Sequence, residues 1–236
     1  MAAYNPRDSW QYRNQNYNED SDSDDDDVNS SDNDPYSSEE ENKIVDEVII
    51  NHLPEKWSDM DFDEIKTIKL HHKSQEFQEV REKIQSTLNV FIYKVMRVQN
   101  PYLWGSYLLM KGEYKKRLNK SPRELLLFHA TSQKNVESIV QDNFDWRCTK
   151  RSKFGKGVSF SPSAKYANTY CNSNAGNKRA LILTKVLVGK CHPGGHWMKV
   201  PSDDHDTTLG NRNRVYVKYG DNEFYPQYVA YYKWYD

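Results

Sequence analysis

Five apolar runs in the second half of the chain restrict its fold more than any other feature. They are "ELLLFHA" (124–130), "GVSFS" (157–161), "RALILTKVLVG" (179–189), "RVYVKY" (214–219) and "YPQYVAYYKWY" (225–235). Each reads as a strand, several by period-two alternation. Two helical patterns interrupt them, "SQKNVESIVQDNF" and "SAKYANTYC". Long strands without regular βαβ alternation predict an α+β fold with antiparallel sheets rather than a doubly wound one.

The preceding part of the chain is more helical. Ser74 is placed to cap a helix whose apolar positions Phe77, Val80, Ile84 and Leu88 recur at helical spacing. "NVFIYKVMRVQN" follows, which suits a strand or the continuation of a buried helix. Pro101 then starts a second helix, "PYLWGSYLLMKGEYKKRL", ending in Lys and Arg where the helix dipole favours cations.

Charge divides the chain unequally. Residues 19–41 hold twelve carboxylates, no Lys or Arg, and almost nothing apolar. Such a segment cannot offset its own chain entropy, so residues 1–42 are set apart as a disordered acidic tail, and the folded part is expected over 52–236. Residues 1–42 contain two arginines against thirteen acids; the remainder has 31 basic and 21 acidic residues, a balance of +10. A basic domain favours anionic partners, phosphate-bearing ligands or nucleic acid, and the acidic tail either competes for the same face or serves solubility. Ser21, Ser23, Ser30 and Ser31, set among acids, are candidate phosphorylation sites.

Composition argues against several other functions. Cys148, Cys171 and Cys191 form no disulfide framework, and Cys191, His192 and His196 have no second cluster to complete a zinc site, so no metal is expected. No secretory signal is present and no apolar run approaches the roughly 20 residues of a bilayer span, so a soluble intracellular protein is expected. The basic runs near 111–118 and 150–157 read as solvated surface, because their aromatics do not alternate with the basics as a base-stacking platform requires. "FGKG" lacks the spacing and the Ser or Thr of a phosphate loop. In "LLFHATSQKNV", His129 lies beside apolar residues, and the residues alone leave open whether it is a ligand-binding group or a satisfied polar residue at a strand end.

Read in order, "LFHATS", "NFDWR", "FGKGVSFS", "YANTYC", "TKVLVGK" and "FYPQYVAYY" resemble the catalytic domain of the poly(ADP-ribose) polymerase family, especially its small mono-ADP-ribosylating branch, across about residues 52–236. The resemblance implies an ADP-ribosyltransferase fold, two packed β-sheets with flanking helices, holding NAD as co-substrate in an open groove. It also implies a protein acceptor, which could be the chain itself, and a nuclear or cytoplasmic setting. His129 matches the family histidine that hydrogen-bonds the adenosine ribose. Ala130 stands where the family has a glycine whose backbone grips the nicotinamide carboxamide, with Thr131 and Ser132 following; Ser132 is also placed to cap the next helix. Tyr166 matches a position that is often aromatic, and Tyr170 the tyrosine that stacks on nicotinamide.

Three further positions depart from the family pattern. Ser159 replaces the signature tyrosine, Ala167 a serine that binds the carboxamide oxygen, and Val229 the glutamate of chain-elongating members. Without that glutamate the resemblance implies mono-transfer instead of polymer synthesis, since valine can neither accept a ribose hydroxyl nor take a proton. A domain that binds ADP-ribose, RNA or protein without catalysis is the alternative.

Overall fold

Each of the five runs becomes a strand in the computed structural model, which describes residues 52–60, 64–150, 153–171, 176, 178–196, 198–202 and 204–235; the acidic tail lies outside these. In chain order the elements are β1 (Lys66–Lys69), α1 (Gln75–Gln85), β2 (Phe91–Gln99), α2 (Pro101–Leu118), β3 (Arg123–Ser132), α3 (Val136–Asp142), β4 (Val158–Phe160), α4 (Ala164–Thr169), β5 (Arg179–Val188), β6 (Cys191–Pro193), β7 (Thr207–Gly210), β8 (Val215–Lys218) and β9 (Phe224–Lys233). A five-stranded sheet has the order β1-β2-β9-β5-β3 and a four-stranded sheet the order β4-β8-β7-β6. Pairing is antiparallel except between β6 and β7. This is the expected α+β architecture, with one parallel pair that no sequence feature indicated.

The open choice at residues 89–100 resolves to a strand, because β2 is hydrogen-bonded to β1 on one side and β9 on the other. Strand β5 shows why the apolar alternation matters. Leu181 and Leu183 point into a core with Phe77, Val80 and Ile84 of α1, while Ala180 and Ile182 point into a second core with Val136, Ile139 and Val140 of α3. One strand with both faces apolar thus supports two layers.

Local signals set the helix ends. Ser74 Oγ accepts from the Phe77 N–H at 3.2 Å and starts α1 as anticipated. Asn100 Oδ1 accepts from the Leu103 N–H at 3.0 Å, Pro101 occupies the first helical turn of α2, and Asn119 ends that helix with φ 54. Helix α2 buries Trp104, Tyr107 and Tyr114 against Tyr225 and Leu187.

A buried polar network fastens α2 to the four-stranded sheet. The Lys218 side chain is fully buried, and its Nζ donates to Tyr114 Oη at 2.9 Å, Thr207 Oγ1 at 2.9 Å and Asp206 Oδ1 at 3.1 Å. The Tyr114 hydroxyl donates to Glu223, which lies 3.5 Å from Lys218 Nζ. Burial opposes ionisation of Asp206, yet Lys218 and the Thr207 and Gly189 donors hold its carboxyl below the usual carboxylate range. Removing the cation leaves Asp206 with Arg117 at 3.5 Å as its remaining charged partner and takes from Glu223 its buried cation. Lys218→Met is therefore expected to lower unfolding stability by about 3–5 kcal/mol in urea denaturation. A loss below about 1 kcal/mol would mean the network contributes no more than a surface ion pair.

Candidate active site

The two sheets meet midway along β3, and the candidate site is built around that contact. Phe128 and Ser161 exchange backbone hydrogen bonds at 2.7 and 2.9 Å. The next residue, His129, packs its ring edge-on against Phe144 and Phe160, with centroids 4.9 and 5.9 Å away. His129 Nδ1 lies 3.0 Å from the Ser159 carbonyl. A carbonyl can only accept, so Nδ1 carries the hydrogen and Nε2 keeps its lone pair. Burial pushes the His129 pKa down, which favours this neutral form. The result is an oriented imidazole that can accept a hydrogen bond from a ligand hydroxyl.

Ser159 contributes to this through its backbone. Its neighbours Val158 and Phe160 are buried while its own side chain is exposed. Any residue at this position could keep the carbonyl on His129. The short strand is held tightly to β8: a Cβ on Gly157 would sit 2.2 Å from the Lys218 carbonyl oxygen. At Gly155 φ is +116, and a Cβ there would meet the Tyr219 hydroxyl at 1.7 Å. The glycines of "FGKG" thus serve packing, in line with the reading that this is no phosphate loop.

Beyond His129 the strand continues through Ala130, half-buried beside the α1 core, and buried Thr131, whose Oγ1 accepts from Asn135 Nδ2 at 3.0 Å. Ser132 makes no side-chain cap, contrary to expectation. The α-helix begins later than expected: a 3-10 turn over Gln133–Asn135 follows Ser132, and α3 starts only at Val136.

Helix α4 places the remaining candidates. Its start is fixed by Ser163 Oγ, which accepts from the Tyr166 N–H at 3.2 Å, and by Thr87 Oγ1, which accepts from the Ala164 N–H at 2.9 Å. Tyr166 and Tyr170 stand one turn apart with ring centroids 4.6 Å from each other. Tyr170 is 45% exposed, and Lys153 Nζ lies 6.0 Å from its ring centroid. Burial, then the neighbouring Tyr170, pushes the Tyr166 phenol up. Ala167 faces inward and packs on the α1 core. The helix end is tied to the sheet by Asn168, which accepts from Arg179 Nη1 at 3.2 Å and from the Tyr232 hydroxyl at 2.5 Å.

Val229 shares a register row with Ile182 and His129 across β9, β5 and β3. Its side chain is 1% exposed and belongs to the apolar cluster of Ile182, Phe160 and Phe224, so the structure places it in the core. Sequence reasoning missed the aromatic walls of His129 and the Asn168–Arg179–Tyr232 brace. "NFDWR" contains Phe144, but nothing in its spacing shows that its ring meets a histidine 15 positions earlier.

The charge around these residues is one-sided. From 146 to 202 the sequence has eleven Lys and Arg and no Asp or Glu. That stretch includes β4, α4 and Tyr170, and it suits a ligand bearing phosphates. Among the described residues no group of His, Cys, Asp and Glu is assembled to hold a metal ion. No helix there is long and apolar enough to cross a membrane.

Two outcomes follow from this packing. Because the folded state disfavours protonated His129, stability present at neutral pH is lost as pH falls through 6.5 and below. Thermal unfolding of the wild type is expected to decline more steeply from pH 7.5 to 5.5 than that of His129→Gln; parallel curves would show that His129 is not the group responsible. Val229→Glu would place a carboxylate among apolar side chains. It is expected to cost several kcal/mol in stability, read by denaturant titration, and to create no elongating activity.

The sequence profile of the "Poly(ADP-ribose) polymerase catalytic domain" matches residues 70–212. The human protein mono-ADP-ribosyltransferase PARP12 is 30% identical over 195 residues, covering 76% of this chain and 28% of its own length. Human PARP14, also named a protein mono-ADP-ribosyltransferase, is 28% identical over 192 residues, covering 75% of this chain and 11% of its own. Human PARP11, likewise named, is 27% identical over 210 residues, covering 75% and 62%. The chain thus spans less than two thirds of the length of these relatives.

Proposed function

We propose, from the premise that the chain belongs to the poly(ADP-ribose) polymerase catalytic domain family, that it is an NAD-dependent protein mono-ADP-ribosyltransferase. The observation that carries this reading is His129, held by the Ser159 carbonyl at 3.0 Å with its second nitrogen available as an acceptor. In this reading His129 holds a ribose hydroxyl, the backbone of Ala130 binds the carboxamide, and Tyr170 offers its exposed ring to the nicotinamide. Thr131 and Ser132 shape the strand end, while Tyr166 supports Tyr170 from one turn away.

The reaction transfers ADP-ribose from NAD to a protein side chain. The bond between ribose C1′ and the nicotinamide nitrogen breaks with oxocarbenium character, as in glycoside hydrolysis. The acceptor's lone pair forms the new bond to C1′, nicotinamide departs with the former bonding pair, and any acceptor proton passes to solvent. This chain's part is to orient the bond that breaks. Val229 supplies no carboxylate to activate a second sugar, so transfer stops after one unit. A metal has no role in this scheme. The acceptor could be another protein or the chain itself.

A second reading rests on Ser159 and Ala167. Exposed Ser159 offers no ring to the nicotinamide, and Ala167, packed inward, offers no hydroxyl, losses that together weaken NAD binding. A domain retaining only ADP-ribose, RNA or protein binding would result.

Incorporation of labelled ADP-ribose from NAD separates the two. The wild type is expected to label protein, His129→Ala to lose the signal, and Ser159→Tyr to raise it at least about tenfold by restoring a buried aromatic contact. Undiminished labelling by His129→Ala would remove this histidine from the site. Absence of labelling in the wild type and in Ser159→Tyr would favour the binding-module reading.

A further inference from the structure

Strands β2 and β9 bring together aromatic and basic side chains that the transferase reading does not use. Phe91, Tyr93 and Tyr235 are 46%, 47% and 53% exposed. Large rings presented together at one sheet end are unusual on a protein surface unless something covers them. Phe91 and Tyr235 have centroids 6.4 Å apart, as do Tyr93 and Tyr231.

The cations at this sheet end lie over those rings. Lys94 Nζ is 3.9 Å from the Tyr231 centroid and Lys233 Nζ is 5.6 Å from that of Phe91. Among the described residues neither ammonium has a carboxylate partner. The sequence explains this, since residues 83–112 and 224–235 contain no Asp or Glu. Register places the two groups side by side: Phe91 pairs with Lys233, and Lys94 with Tyr231. A register shift between Ile92 and Lys94 leaves Tyr93 at the irregularity, with its hydroxyl accepting from Gln133 Nε2 at 3.4 Å.

We infer that this end of the five-stranded sheet is a binding platform for single-stranded nucleic acid. Bases present flat π-faces to exposed rings in a sequence-tolerant way, and the phosphates between them need cations that no carboxylate neutralises. Phe91 and Tyr93, two residues apart on one strand, are separated by about 6.6 Å along it, so successive rings meet successive bases. An acidic peptide would satisfy the lysines and leave the rings uncovered. An apolar protein partner would cover the rings and desolvate the ammonium groups without a counter-charge. No run of the sequence announces this platform: rings and cations do not alternate in the basic runs near 111–118 and 150–157, and here Phe91, Tyr93 and Lys94 meet Tyr231 and Lys233 from strands far apart in the chain.

The test is fluorescence anisotropy of a labelled ten-nucleotide oligouridylate with the full chain, titrated between about 50 and about 200 mM salt. Saturable binding is expected. Phe91→Ala and Tyr93→Ala are each expected to weaken it about 5- to 100-fold. Lys94→Gln should lower the slope of log affinity against log salt by about 1, and it reports on the platform even if removal of a ring disturbs folding. Lys153→Gln, in the basic run beside the candidate active site, should leave affinity unchanged. An absence of binding, indifference to the ring and Lys94 variants, a loss with Lys153→Gln equal to theirs, or stronger competition by a duplex of equal charge would each overturn the proposal. None of these readings depends on NAD, so transferase activity and platform binding can fail separately.

Discussion

Two backbone hydrogen bonds between Phe128 and Ser161 join the five-stranded sheet to the four-stranded one, and the candidate site depends on them. They fix the middle of β3 against the residue that follows β4, so that His129 and Ser159, far apart in sequence, face each other at hydrogen-bonding distance. If that contact slipped by one residue, the Ser159 carbonyl would be carried away from His129 Nδ1, while the β3–β5 ladder would keep the ring on its face of the strand. The Lys218 network secures the same relationship from the opposite side, holding β8, and through it β4, against α2. The position of one imidazole is therefore specified by main-chain pairing at the β4 edge of the smaller sheet and by a buried cation on the adjacent strand β8.

Much of this fold is visible in the sequence because apolar alternation and capping chemistry act locally. The long strands β3, β5 and β9, the Ser74 cap and the Pro101 start all appear where residue pattern alone predicts them. Strands β1, β6 and β7 do not. Their residues, "KTIK", "CHP" and "TTLG", carry too few side chains to show a period, and they become strands only through a partner supplied by tertiary structure. The site divides in the same way. His129 and Tyr170 stand out in the motifs of the family, whereas the Phe144 and Phe160 walls and the Asn168 brace are contacts between distant segments. At Ser132 a capping residue was legible, but a 3-10 turn intervenes and the α-helix starts three residues further on than the pattern suggested.

The contrast between the two ends of the domain is chemical. Around β4 and α4 the chain is free of carboxylates over 57 residues, which favours a phosphate-bearing ligand and supplies no acid of its own for proton transfer. Carboxylates instead concentrate in the interior network of Asp206 and Glu223 and in pairs such as Glu76 with Arg97 at 2.8 Å. Those acids have structural partners already, so a reaction at His129 would rely on orientation and on the reactivity of the acceptor itself.

Three of the four departures from the family pattern share a structural circumstance. Ser159 projects from a three-residue strand whose service to His129 is made by a carbonyl, Ala167 fills a gap on a short helix, and Ala130 sits in a ladder set by backbone. Ser159 is exposed, and Ala130 and Ala167 lie at the rim of the α1 core rather than at its centre, where Leu181 sits. Substitutions at these three positions can therefore alter ligand contacts at small cost to the scaffold. Val229 differs, because its place among apolar side chains makes any exchange for a carboxylate a matter of folding as well as of chemistry.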